Sequence, residues 1–166
     1  MPLTAGQVIT LGADILADPV LSILPNDSDG AAQIAAVYNA VAVPDFWAWR
    51  TRVMKGEMVQ SVSVDGTTFA WTGTGFITRS QGERDAWREL FDAQGFCNPS
   101  LVNVRQAFQD IFSGAIPPAP ANRTHLAAVS RRRATRAEKL FAAGTGSTAS
   151  PATMGFEGSV TVNEVL

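Results

Sequence analysis

Several residue types are nearly missing from this 166-residue chain, which has one cysteine and one histidine. With Cys97 alone, no intrachain disulfide can form and no cysteine-rich metal cluster exists. A reduced, buried thiol beside Phe96 is expected, because free cysteine packs as a small hydrophobe. Any catalytic histidine would have to be His125, which follows Thr124 among polar and small residues with no nucleophile motif nearby. Neither a His-Glu-x-x-His pair nor an Asp-rich calcium loop occurs, so no metal or cofactor is expected. Thr72-Gly-Thr-Gly75 lacks the spacing and the lysine of a phosphate loop and reads as a flexible connection. Carboxylates are scattered, and Glu83 and Asp85 are explained by the preference of acids for a helix's first turn. The expectation is a protein that is not an enzyme. No basic-then-apolar signal pattern opens the chain and no run of about 18 apolar residues occurs. A soluble protein made in the cytoplasm follows.

What is present suits one mainly α body. Hydrophobic residues make up 46% of the chain, enough for a core in a domain of this length. Thr4 to Pro19 predicts a capped helix with Val8, Leu11, Ile15 and Leu16 as its apolar stripe, after which Leu21, Ile23 and Leu24 bury. Asp29 is expected to cap a second helix from Gly30 to about Ala40, with Ile34, Val37 and Tyr38 inward. Pro44 opens a third, to about Val59, with Phe46, Trp49, Val53 and Met54 on one face and Trp47 off it. Val62 and Val64 alternate against Thr67, Phe69 and Trp71 across Asp65-Gly66, which predicts a β-hairpin near 61–72. Ser80 and Glu83 form a capping box for a helix burying Trp87, Leu90 and Phe91. Leu101, Val104, Phe108, Ile111 and Phe112 form the next core stripe. After Pro117-Pro-Ala-Pro120 a last helix begins near Ala121 and enters a basic stretch. The spacing leaves open whether Thr135 starts a new helix or lies within a bent one.

The stretch from Arg131 to Gly158 has two unlike halves. Thr135 and Glu138 make another capping box, followed by Ala137, Leu140 and Phe141 at helical spacing, with Gly144 as a stop signal. Gly144 to Pro151 is Gly, Thr, Ser, Ala and Pro, too polar and small to fold alone. Met154, Phe156, Val160 and Val162 then fall at even positions, the alternation of a strand. Residues 1–143 thus read as a small helical bundle with the hairpin inserted, and 144–166 as an extended C-terminal arm. The charge is asymmetric: Asp14, Asp18, Asp27 and Asp29 have no Lys or Arg among them, while Arg123, Arg131, Arg132, Arg133, Arg136 and Lys139 lie close together. In a ring, one subunit's acidic face would meet the next one's basic face.

The basic segment Arg131 to Ala142, followed by Gly144-Thr-Gly-Ser-Thr-Ala-Ser-Pro-Ala-Thr-Met-Gly-Phe-Glu-Gly158, resembles the C-terminus of head-to-tail adaptor proteins. These are the connector or head-completion proteins of tailed bacteriophages, common in short-tailed phages. The resemblance extends upstream through Pro44 to Arg50, the Gly82 to Glu89 helix and Asn103-Val-Arg105. It implies a structural virion protein of the neck, a homo-oligomeric ring of about twelve copies under the portal. Such a ring prolongs the DNA channel and seats the tail nozzle or another tail protein. The docking arm, on portal or neighbour, would comprise Thr145, Ser147, Thr148, Pro151, Met154, Phe156, Val160 and Val162, adding a strand to an exposed edge. Arg131, Arg132, Arg133, Arg136 and Trp47 would face a neighbouring subunit or the channel. Asp65 and Gly66 would form the tip of an inter-subunit hairpin. Any contact with genome DNA would be to phosphates and independent of sequence. The alternative is a helical DNA-binding protein of the phage, a packaging or regulatory factor resting on the arginine cluster. No membrane partner is expected.

Overall fold

A computed structural model of the protein describes residues 2–71 and 76–166; the expected connection at 72–75 lies outside the described residues. In chain order the elements are α1 (Ala5–Ala17), α2 (Ser28–Asn39), β1 (Trp47–Trp49), β2 (Val53–Met54), α3 (Lys55–Gln60), α4 (Gln81–Glu89) and β3 (Phe96–Cys97). There follow α5 (Val102–Ile111), α6 (Ala119–Val129), β4 (Arg131–Arg133), α7 (Arg136–Leu140), β5 (Ala142–Ala143), β6 (Thr153–Met154) and α8 (Val162–Val165). The architecture is mainly α, with strands of two or three residues. No described helix is long and apolar enough to cross a membrane.

The chain folds into two compact units, and the division is not at Gly144. Unit 1 comprises 1–48 and 133–166; unit 2 comprises 49–132, with the boundaries inside the short strands β1 and β4. Unit 1 packs α1, α2, α7 and α8 around Leu11, Leu21, Ile34, Tyr38, Ala137, Phe156 and Val160. Its helices start where local chemistry requires. Thr4 and Gln7 close a capping box on α1. Asp27, rather than Asp29, caps α2 by accepting from the Asp29 and Gly30 N–H groups. Val8, Leu16, Ile23 and Val37, expected inward, are exposed.

Unit 2 is built on aromatic packing. Trp87 of α4 is buried, with Phe69 stacked at 6.0 Å between ring centroids and Phe112 edge-on at 5.6 Å. Aromatic pairs in these geometries add to area burial. The Ser80–Glu83 capping box starts α4 as expected. Val104, Phe108 and Ile111 line the inner face of α5, while Leu101 caps that helix and stays exposed. Cys97 is buried beside Met58, Sγ to Sδ 3.6 Å.

Two expectations fail in this region. The segment from Pro44 to Val59 is not one helix but β1, β2 and the short α3. Its aromatic and β-branched residues suit strands, and β2 finds a partner, Val53 opposite Cys97 and Met54 opposite Phe96. The hairpin around Asp65-Gly66 is only a turn: Gly66, at φ +75°, donates to Ser63 O, and Ser63 N–H donates to Thr67 O. No strand forms among residues 61–71. The backbone of Ala70 pairs with a side chain instead, its N–H donating to Asn122 Oδ1 (2.8 Å) and its C=O accepting from Nδ2 (3.2 Å). His125, fully buried on α6, ties the same segment down: Nε2 lies 2.8 Å from Met58 O and Nδ1 2.9 Å from Thr67 O.

Candidate functional site: the Arg131 to Leu166 segment

α6 ends at Val129, so Arg131–Arg133 form an extended strand rather than part of a helix, and Thr135 begins a new one. The Thr135 hydroxyl accepts from Glu138 N–H (3.2 Å) while Glu138 Oε2 accepts from Thr135 N–H (2.9 Å). This box fixes the direction of α7 and thereby the position of Arg136.

Arg136 is the centre of a charged cluster in unit 1. Its guanidinium donates to Asp18 (2.9 Å) and Asp14 (3.2 Å) and lies over the Tyr38 ring at 4.7 Å. The Tyr38 hydroxyl donates to the same Asp14 carboxylate. Burial, and then the bond to Asp14, push the Tyr38 phenol well above its ordinary value. The Val20 N–H, then Arg136 and the Leu21 N–H, hold the Asp18 carboxyl below the usual carboxylate range. Burial alone would lower Arg136, but its bond to Asp18, Tyr38 and the bond to Asp14 outweigh that and raise it. The acids of α1 therefore meet their basic partner within the chain. The expected acid-to-base contact between subunits is corrected here for Asp14, Asp18 and Arg136. The sequence signal was the run of acids Asp14, Asp18, Asp27 and Asp29, and two of these pair within the chain.

The other arginines are engaged too. Arg133 pairs with Asp45 at 2.8 Å and lies over Trp47 at 5.9 Å, within unit 1. Arg131 pairs with Asp65 within unit 2, so Asp65 serves an intrachain ion pair. Arg132 is half-buried.

The segment after Gly144 is not a loose arm. β5 and β6 form a two-stranded antiparallel sheet, Ala142 opposite Met154 and Ala143 opposite Thr153. The loop between them is closed internally: Thr145 Oγ1 donates to Ser150 O (3.0 Å) and Ser147 Oγ accepts from Ser150 N–H (3.0 Å). It also clasps the backbone of Trp47, whose N–H donates to Gly146 O (2.7 Å) and whose C=O accepts from Ala152 N–H (2.9 Å). Strand addition thus occurs inside unit 1, with Ala152 bridged to Ala48. Gly146 sits at φ +66°, and a Cβ there would lie 2.1 Å from the Phe46 ring. At Gly155 a Cβ would lie 2.6 Å from Phe141 O, so this glycine is required by space.

Beyond the loop, Phe156 is 1% exposed, edge-on to Phe141, and Val160 is 2% exposed. Asn39 of α2 fastens Val160 on both sides, accepting from its N–H (2.8 Å) and donating to its C=O (2.9 Å). Glu164 of α8 accepts from Leu3 N–H (2.6 Å). Pro151 is buried, Met154 and Val162 are half-buried, and Thr145, Ser147 and Thr148 face outward. The alternation of apolar residues is real, but its partners are α2 and Phe141 of the same unit. Asn39 and Tyr38 carried no sequence signal for these roles, since each acts on a residue about a hundred or more positions away. Comparison with protein-family models, curated proteins and solved structures gives no match.

Proposed function

We propose that this chain is a structural virion protein, a head-to-tail adaptor that binds under the portal as a ring, extends the DNA channel and seats the next tail component. The observation that carries the reading is the segment from Arg131 to Gly158, whose residues resemble the adaptor C-terminus. Its glycines at 146 and 155 stand where no other residue fits without displacing a neighbour, and its capping box aims Arg136 at Asp14 and Asp18. Those features make the segment a unit of structure rather than a chance string. Phe156 and Val160 are committed to unit 1, so on this reading the contact with portal or neighbour belongs to the outward loop of Thr145, Ser147 and Thr148. A ring presenting many such loops gains avidity from weak single contacts.

The test is negative-stain imaging of the protein mixed with the portal protein of its own phage. The wild-type chain is expected to add ring density that a Thr148→Arg, Ala149→Arg variant lacks; both positions are exposed, and the Thr145 and Ser147 bonds that close the loop stay intact. Density retained in the variant moves the contact elsewhere on the chain. No density from either chain, with salt-sensitive duplex binding, favours the DNA-binding alternative. Unit 2, with ten Lys and Arg against seven Asp and Glu, is the part whose charge suits that role.

A further inference from the structure

Helix α1 is apolar on two sides, and the described residues cover only one. Leu11 points into unit 1 and is fully buried. On the opposite side Ile9 and Leu16, one heptad apart, are 74% and 76% exposed. Around them lie only Ala5, Gly6, Gly12 and Ala13. The helix has three polar side chains, and all bond within unit 1. Gln7 donates to Gly155 O, Thr10 donates to Gly6 O, and Asp14 accepts from Tyr38 and Arg136. Thr10, exposed beside this face, is its one polar neighbour on the helix, and its hydroxyl is taken up by the Gly6 carbonyl. A contiguous apolar face left in water on a surface helix marks a contact surface.

The glycines make the same point independently. A Cβ at Gly6 or Gly12 would meet nothing within 4 Å, and neither has a backbone conformation that demands glycine. Both weaken the helix relative to alanine without return inside this chain. What they provide is close approach for a second backbone. The apolar face continues past the helix through Val20 and Ile23, which is 80% exposed. Beside it runs a groove of roughly 350 Å³ between α1, the following turn, α2 and the last residues Val165 and Leu166, with Ile15, Leu21, Leu24 and Ile34 in its lining.

Charge selects the occupant. Asp27 lines the groove and no Lys or Arg does. Unit 1 as a whole has eight Asp and Glu against three Lys and Arg, a formal charge of −5. Two of those three cations, Arg133 and Arg136, are already paired with Asp45, Asp14 and Asp18. Pairing this face with itself in a second copy would bring two units of −5 together. We propose that the outer face of α1 docks an amphipathic helix of a different polypeptide, apolar where it meets Ile9 and Leu16 and rich in lysine or arginine along its flanks. The mode is a helix laid along an apolar groove, with anchors at helical spacing.

The experiment uses the full chain and a fluorescent probe helix of leucine–lysine heptads, with a leucine–glutamate helix as its counterpart. Anisotropy titration is expected to give saturable binding of the lysine probe and binding about tenfold or more weaker for the glutamate probe. The neutral variant Ile9→Asn, Leu16→Asn should weaken the lysine probe by about tenfold or more, by loss of apolar contact. Its far-UV circular dichroism should match the wild type, since both side chains are already in water. Val43→Asn, at a position 90% exposed and off this face, should bind like the wild type. Equal binding by the Asn variant would mean bare charge attraction and would overturn the proposal, as would no binding at all. Sedimentation velocity supplies the last arm: a wild-type dimer that the Asn variant dissolves would assign the face to a second copy and overturn it too. None of these outcomes depends on the portal experiment.

Discussion

Gly146 is held by two constraints at once, a positive φ and the Phe46 ring against its Cα. Gly146→Ala is expected to destabilise unit 1 by about 2–4 kcal/mol, combining left-handed strain with a clash that the ring must yield to. Urea denaturation checks it, and an unchanged midpoint would remove Gly146 from the account. His125 is the counterpart in unit 2. Its two nitrogens each face a carbonyl oxygen, and Met58 O lies at the end of the short α3 where no helical N–H reaches it. His125→Ala should cost about 3–5 kcal/mol through the lost hydrogen bonding of one ring N–H and the cavity together. At Cys97, burial and then the Asp92 charge push the thiol up to about 12. Ellman's reagent at pH 8 should therefore leave the native chain unlabelled and titrate one thiol only after unfolding.

At the scale of elements, the C-terminal segment is core, not tether. Ending the chain at Gly144 strips Phe156 and Val160 from unit 1, each worth about 2–3 kcal/mol of burial as an upper bound. It also removes both bonds that Asn39 makes to Val160 and the bond from Leu3 to Glu164. That loss is comparable with the whole stability of a small domain. The truncated chain is expected to bind a hydrophobic dye and to lose part of its cooperative thermal transition. A truncation that melts like the full chain would restore the free-arm description. The turn at 63–67 makes a parallel case, because Asn122 stands in for the missing strand partner of Ala70.

At the scale of the molecule, unit 1 is the acidic part, and its ion pairs engage Asp14, Asp18 and Asp45. The cluster of Asp14, Asp18, Tyr38 and Arg136 makes acid the condition under which unit 1 weakens. Asp18 has a folded-state pKa below its ordinary value of 3.8, so its contribution is present above about pH 4 and is lost as pH falls through the folded value. Asp18→Asn should flatten the acid limb of the stability curve and leave its slope near neutral pH unchanged. Chemical denaturation from pH 7 down to pH 2.5 reads this directly, and an acid limb identical in the variant would place the sensitivity on another carboxylate. Exposed pairs such as Arg88–Asp85 contribute little either way.

What the sequence determined by itself is local. The boxes at Thr4–Gln7, Ser80–Glu83 and Thr135–Glu138 each close within four residues, so their helices begin where the residues say. The aromatic and aliphatic stripes of α4 and α5 were legible for the same reason: one helix face is written by spacing alone. Tertiary structure decided everything that needed a distant partner. Phe46 to Trp49 are extended, not helical, because the C-terminal loop clasps the Trp47 backbone. Residues 61–71 make no ladder because an asparagine half a hundred residues on takes the place of a strand. The apolar alternation from Met154 to Val162 said that something would be buried, but only α2 and Phe141 decided that the burial is within the chain. The reverse holds for Leu16 and Ile23, whose apolar character promised burial that no element among the described residues supplies. Hydrophobicity names the surface that must leave water, and geometry alone chooses the surface that covers it.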